Sequence, residues 1–184
     1  RLKLQLAMIK QKDLSDKMSK DIDEMEKMLN DYLQFAKSQA QEPTINLNLL
    51  DLFKEIYKTS DKKNLKILYK DDLYIKGRPS ALKRSFENII QNSLTYGKSI
   101  EIDFKRTANR ALIIFEDDGP GIPEDQYRNV FKPFFRLDKS RSLNHSGVGL
   151  GLAIVEDIIN SHGGNIQLGK SKYNGLQVKI SLPF

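Results

Sequence analysis

Apolar residues near the start of the chain recur in steps of three and four. Leu14, Met18, Ile22, Met25, Leu29, Tyr32 and Ala36 fall on one stripe of a long helix, with Ser15 or Asp16 placed to cap it. Leu2, Leu6 and Ile9 mark an earlier stripe, and the polar residues 11–13 between the two predict an antiparallel helical hairpin. Such a hairpin has too little core to stand alone. Its stripe must meet another surface: a second copy in a four-helix bundle, or the rest of the same chain. Glu42-Pro43 breaks the period, because proline disfavours helix at the residue before it. The pattern predicts a domain boundary there, with 1–42 helical and 43–184 of another kind.

Beyond the boundary the period alternates. Residues 48–59 read as a helix, with Leu49, Leu50, Phe53, Ile56 and Tyr57 on one side. Residues 65–69 and 73–76 read as short strands around an Asp71-Asp72 turn, and 79–96 as a helix with proline in its first turn. Residues 99–105 and 110–116 form a predicted hairpin, Ile100, Ile102 and Phe104 alternating and Leu112 to Phe115 more fully apolar. Residues 148–161 form a helix closed by Gly163-Gly164, and 165–168 and 175–182 are closing strands. The expected class is α+β, a mostly antiparallel sheet with helices on one face.

Composition narrows the chemistry. The 184 residues contain no cysteine and two histidines, His145 and His162. Disulfides, thiolate nucleophiles and cysteine-held zinc are excluded, and a multi-histidine metal site is disfavoured. Apolar runs fall short of the ~20 residues of a membrane span, and Arg1-Leu2-Lys3 has no signal-peptide layout. The net charge of +6 lies wholly in 43–184, since 1–42 holds 8 basic and 8 acidic residues. Such an excess suits nucleic acid, an anionic membrane, a phosphate ligand or simply a solvated lysine-rich face, and selects none of them.

Three motifs converge on a nucleotide. Asp117-Asp118-Gly119-Pro120-Gly121-Ile122 follows a buried strand. A carboxylate there can accept from an exocyclic amine, Gly119 and Gly121 permit close approach, and Ile122 offers an apolar wall; a plain Asp-Gly turn is the alternative. Gly147-Val148-Gly149-Leu150-Gly151-Leu152 exposes main-chain N–H groups where a helix begins, favourable for anions. Its spacing is not that of the dinucleotide or P-loop fingerprints, and a flexible hinge is the alternative. Asn88 and Asn92, four residues apart, share one helix face. Their amide oxygens suit a hard cation, and Tyr96, one turn on, can stack on a purine; satisfied helix amides and core packing are the alternatives.

In this order the motifs resemble the N, G1, F and G2 boxes of the bacterial sensor histidine kinases, whose ATP-binding domain has the Bergerat (GHKL) fold shared with gyrase, Hsp90 and MutL. Phe131-Lys-Pro-Phe134-Phe135-Arg136 is similar to the F box, and the region also resembles the EnvZ-type osmosensor branch. The resemblance implies half of a dimeric four-helix bundle followed by an α/β sandwich that binds ATP and Mg²⁺. Asp117 would hold the adenine amine, with Gly121 letting the base approach. Asn92 would coordinate Mg²⁺, Asn88 would face the phosphates, and Tyr96 would stack on adenine. Residues 147–152 would hinge an ATP lid over about 136–146, with Phe131 and Phe134 anchoring it and Arg136 reaching the terminal phosphates. It further implies a homodimer through 1–42, a response-regulator receiver domain as partner, no nucleic acid, and a soluble, cytoplasmic portion of a protein anchored in the inner membrane.

Two positions depart from the pattern. The acceptor motif His-Asp/Glu-x-x-x-Pro is absent, so the sequence is expected to begin just downstream of it. Thr95 stands where many relatives carry Lys or Arg, leaving the phosphate contact to Lys98 or Lys132. Gyrase-type relatives place a water-activating glutamate where this chain has Asn88, a neutral amide that cannot act as general base, while Glu87 points elsewhere on the helix. That favours phosphoryl transfer over a GHKL-type ATPase, and the intact motifs favour both over a non-catalytic dimerisation or adaptor module.

Overall fold

The computed structural model describes residues 42–59, 64–68, 71–137 and 149–184, with Asp16, Met18, Ser19, Ile22, Met25 and Glu26 from the N-terminal part. The chain divides into two compact units, Arg1–Gln41 and Glu42–Phe184. The six described residues of the first unit are helical, with Met18 and Met25 exposed and Ile22 half-buried. The rest of the predicted hairpin lies outside the described residues.

The second unit is a sandwich. Its elements are β1 (Ile45–Asn48), α1 (Leu49–Thr59), β2 (Leu65–Ile67), β3 (Tyr74–Gly77), α2 (Pro79–Tyr96), β4 (Ile100–Arg106), β5 (Arg110–Asp117), α3 (Gly151–Ser161), β6 (Asn165–Lys170) and β7 (Leu176–Pro183), with two short 3-10 turns, Glu124–Gln126 and Asn129–Phe131. Five strands form one sheet in the order β2-β4-β5-β7-β6, antiparallel except for the β2–β4 pair. Alternation in β4 and β5 sends Ile100, Ile102, Phe104, Ala111, Ile113 and Phe115 inward, where all are buried. Phe53 of α1 stacks on Phe86 of α2 and on Phe104, each at 4.8 Å between ring centres, and Phe115 closes the group at 6.0 Å from Phe53. Ile154, Val155, Ile158 and Ile159 of α3 add to the same buried layer, together with Val178, Ile180 and Leu182 of β7.

Three sequence expectations are corrected. β2 and β3 do not pair across Asp71-Asp72. β2 runs parallel to β4 at the sheet edge, and β3 pairs with β1, a strand that four residues of mixed polarity did not announce. α3 begins at Gly151, three residues later than expected, because Gly149 has φ +77, outside the helical region.

α2 carries part of the site, and its N-terminus is capped from outside the helix. Arg78 at the cap position makes no side-chain cap. Instead the Glu42 carboxylate accepts from Ser80 N at 2.7 Å and Ala81 N at 3.1 Å, answering orphan donors and the helix dipole together. His162 closes the end of α3. Its Nδ1 lies 2.7 Å from Ile158 O and its Nε2 accepts from Arg78 N at 3.0 Å. An accepting Nε2 leaves the proton on Nδ1, so the ring is neutral, and burial pushes its pKa down.

Candidate functional site

Asp117, Gly119 and Gly151 come together along the C-terminal half of α2, which carries Asn88 and Asn92. β5 ends in Asp117, whose side chain stays inside although it is a carboxylate; the residue is 5% exposed. Three donors explain why. Asp117 Oδ2 accepts from Ser93 Oγ of α2 at 3.0 Å, while Oδ1 accepts from Gly119 N at 3.0 Å and Leu176 N at 2.8 Å. An ionised carboxylate has about four lone-pair sites, so one acceptor direction on Oδ2 remains.

The neighbouring glycines bring main chain to this carboxylate. A Cβ at Gly175 would lie 2.3 Å from both Asp117 O and Asp117 Oδ1. Gly121 adopts φ +70 and passes the turn at Gly175, a position a side chain would strain. Gly119 lies against the main chain of Tyr96, and Ile122 is half-buried beside Gly121. Asp118 has a structural task. It accepts from Lys98 N, Ser99 N and Ser99 Oγ at 2.7 to 2.9 Å, which ties the end of α2 to β5 and, led by the Ser99 bond, holds its carboxyl below the usual range.

Asn88 and Asn92 sit half-buried on the face of α2 where α3 starts. The Cβ direction of Gly151 points at Asn92 Nδ2, 3.4 Å away, with Asn88 Oδ1 at 3.8 Å. Among the described residues neither carboxamide is hydrogen-bonded. Half-buried amides left open in this way fit a polar ligand, and their oxygens fit Mg²⁺. Among the described residues no group of three His, Cys, Asp or Glu is available to hold a metal, so a cation here would draw on amide oxygen, water and phosphate. Glu87 is exposed and Leu152 half-buried in the first turn of α3.

The loop expected as a lid is pinched at its base. Phe134 N donates to Gly149 O at 2.9 Å, and a Cβ on Gly149 would lie 2.7 Å from Phe135 O. Phe134 itself has φ 65 and is 62% exposed; Phe131 and Arg136 are half-buried and Leu150 is buried. Residues 138–148, with His145, Gly147 and Val148, lie outside the described residues. Thr95 turns back on its own helix, donating to Gln91 O at 2.7 Å, and Lys132 Nζ goes to Asn129. A separate groove of about 660 Å³ is lined by Tyr127, Arg128, Phe131, Lys132, Pro133, Glu156 and Ile166–Leu168; it takes in Phe131 and Lys132 but none of Asn88, Asn92, Asp117, Gly119, Gly121 or Gly151.

Sequence reasoning missed Ser93, Gly175 and Leu176. Ser93 was findable, being next to Asn92 on a helix that reaches the end of β5. Leu176 contributes a main-chain N–H, which no side chain signals.

A helix carrying two open carboxamides, a buried carboxylate at a strand end and a glycine-started second helix define a GHKL-type nucleotide domain. The model of the family described as histidine kinase-, DNA gyrase B-, and HSP90-like ATPase matches residues 77–184. The chain belongs to this family and carries the ATP-binding kinase domain of a two-component sensor. It is 31% identical to the sensor histidine kinase GtrS of Pseudomonas aeruginosa over 187 residues, covering 100% of this chain and 38% of that protein. To the sensor histidine kinase CpxA of Escherichia coli it is 40% identical over 108 residues, 58% of this chain and 24% of CpxA. The solved histidine kinase domain of the E. coli osmosensor EnvZ superposes with a TM-score of 0.59 at 33% identity, over 78% of this chain and 91% of that one. The chain thus spans well under half the length of these two sensor proteins.

Proposed function

We propose that residues 43–184 bind MgATP and transfer its γ-phosphoryl group to a histidine outside this sequence, from which it passes to a response-regulator aspartate. The reading is carried by Asp117, a carboxylate kept in the interior by three donors with one acceptor direction left, which suits the adenine amino group. Asn92 and Asn88 present amide oxygens where the phosphates would lie, beside the N-terminus of α3, whose dipole favours anions. Tyr96, at the end of α2 and 58% exposed, offers a ring face to the base, and Arg136 supplies charge at the mouth of the lid. Bound Mg²⁺ would neutralise phosphate charge.

Phosphoryl transfer depends on positioning and charge compensation. With a neutral amide at 88 and Glu87 turned to solvent, no general base faces the phosphates from α2, so the site holds ATP without quick hydrolysis. The relatives support a homodimer through residues 1–42, a receiver domain as partner, and a place on the cytoplasmic side of an inner membrane; among the described residues no helix is long and apolar enough to cross one. Calorimetric titration with MgATP tests the site. Asp117→Asn and Asn92→Ala should each abolish binding, and retained affinity in both overturns the assignment. Steady ATP turnover by the chain alone would favour the ATPase reading instead.

A further inference from the structure

Glu101 lies in β4 between Ile100 and Ile102, both buried in the core. Strand alternation therefore turns it to the sheet face opposite the helices. Its side chain is nevertheless only 7% exposed. The carboxylate accepts from Tyr173 Oη at 3.0 Å, from Lys66 Nζ at 3.2 Å and from Lys172 Nζ. Burial alone would raise this carboxyl; the bonds from Lys172, Tyr173 and Lys66 outweigh it and hold the pKa below the usual value.

Two of those donors belong to one turn. Lys172 and Tyr173 lie between β6 and β7, where Ser171 N donates to Gly175 O and Asn174 N to Ser171 O, each at 3.0 Å. Glu116, paired with Glu101 across the strands, accepts from Lys172 N at 3.2 Å and from Gln177 Nε2 at 2.7 Å. Two outer-face carboxylates thus clamp the turn. On the inner face the same turn delivers Gly175 against Asp117, and Leu176 N to Asp117 Oδ1. Ile100 pairs with Asp117 as Glu101 pairs with Glu116, so clamp and site carboxylate are adjacent along the strands and face opposite ways.

We infer that Glu101 is a positioning residue for Asp117, acting through the turn at residues 171–175. The inference rests on the assignment of Asp117 to the adenine amino group. With the clamp intact, Leu176 N and Gly119 N occupy Asp117 Oδ1 and Ser93 takes one direction on Oδ2, so the carboxylate is locked with its last acceptor direction free. Without the Glu101 carboxylate the turn keeps its own bonds and the Lys172 N–Glu116 bond but loses the anchoring of the Lys172 and Tyr173 side chains. Leu176 N then drifts, and Asp117 gains freedom to rotate. The loss falls on recognition of the base and leaves the phosphate end of the nucleotide unaffected.

Titration of this chain with MgATP and MgITP, whose base carries oxygen in place of the 6-amino group, tests the inference. Glu101→Gln should weaken ATP binding about three- to tenfold, narrow the ATP preference by the same factor, and leave ITP binding within about twofold. Tyr173→Phe removes one donor from a side chain that reaches solvent. It should shift ATP binding the same way by a smaller factor, which keeps the test decisive if Glu101→Gln lowers stability. Lys66→Met removes a partner of Glu101 outside the turn and should change neither nucleotide. Wild-type affinity and preference in both Glu101→Gln and Tyr173→Phe overturn the inference, as does equal loss for ATP and ITP. Wild-type ATP affinity in Asp117→Asn overturns the assignment of Asp117 to the adenine amino group, and this inference with it; loss in Asp117→Asn beside an unaffected Glu101→Gln overturns this inference alone.

Discussion

Replacing Gly175 with alanine puts a methyl group where there is no room for one. The new Cβ would lie 2.3 Å from Asp117 O, 2.3 Å from Asp117 Oδ1 and 2.6 Å from Gly119 N. Two of these are main-chain atoms, so no rotamer change relieves them. Ordinary contact begins near 3.4 Å, so the turn must retreat from Asp117 by about 1 Å, which stretches the 2.8 Å bond from Leu176 N past bonding distance. Overpacking costs about 1–3 kcal/mol, and losing one bond to a charged acceptor about 1.5–3 kcal/mol. Because retreat relieves the first at the expense of the second, the expected total is about 2–4 kcal/mol. Urea unfolding followed by circular dichroism reads it as a lower midpoint at unchanged slope. Gly151→Ala is the control: its methyl meets Asn92 at 3.4 Å, and at the first residue of α3 it should leave stability within about 1 kcal/mol of the wild type. A Gly175→Ala protein unfolding at the wild-type midpoint would refute the close approach of this turn to Asp117.

Glu42→Gln keeps the shape of the outside cap on α2 but removes its charge. Thermal melts at pH 7 should show a loss of about 1–2 kcal/mol, and because hydrogen bonds from Ser80 and Ala81 hold the Glu42 pKa below its usual value, the gap should narrow only as pH falls through that lowered pKa. His162 has a lowered pKa, so the unfolded chain binds its proton more readily than the folded one. Its contribution is complete above about pH 6.5 and is lost as pH falls below that through the folded pKa. Between pH 7 and 5 the wild type should lose more Tm than His162→Gln, and parallel curves would contradict the neutral, doubly bonded ring. Ser93→Ala removes a donor to Asp117 and should weaken ATP binding along with a stability loss of about 1.5–3 kcal/mol, checked by calorimetry and urea unfolding.

The alternation of Ile100, Ile102 and Phe104, the apolar side of α1 and the glycines around Asp117 were open to inspection in the chain, because each is a local pattern imposed by one backbone geometry. Strand partners were not. β2 and β3 are three and four residues long, and inter-strand hydrogen bonds are chemically the same whichever strands make them. Asp71-Asp72 looks like a hairpin turn, yet its two strands lie in different sheets.

The site divides in the same way. Asp117, Asn88, Asn92, Gly119 and Gly121 declare themselves because their side chains, or the lack of one, carry unusual chemistry for a strand end, a helix face and a loop. Two of the three donors that hold Asp117 come from 24 and 59 residues away, one a common serine and one a main-chain N–H beneath a leucine. Glu101 reads as an ordinary solvent-facing charge until the β6–β7 turn folds over it. Residue types and their spacing determined which functional groups this protein owns. The fold alone decided which of them are locked in place, since that depends on main-chain donors and close approaches that exist only after distant segments have packed.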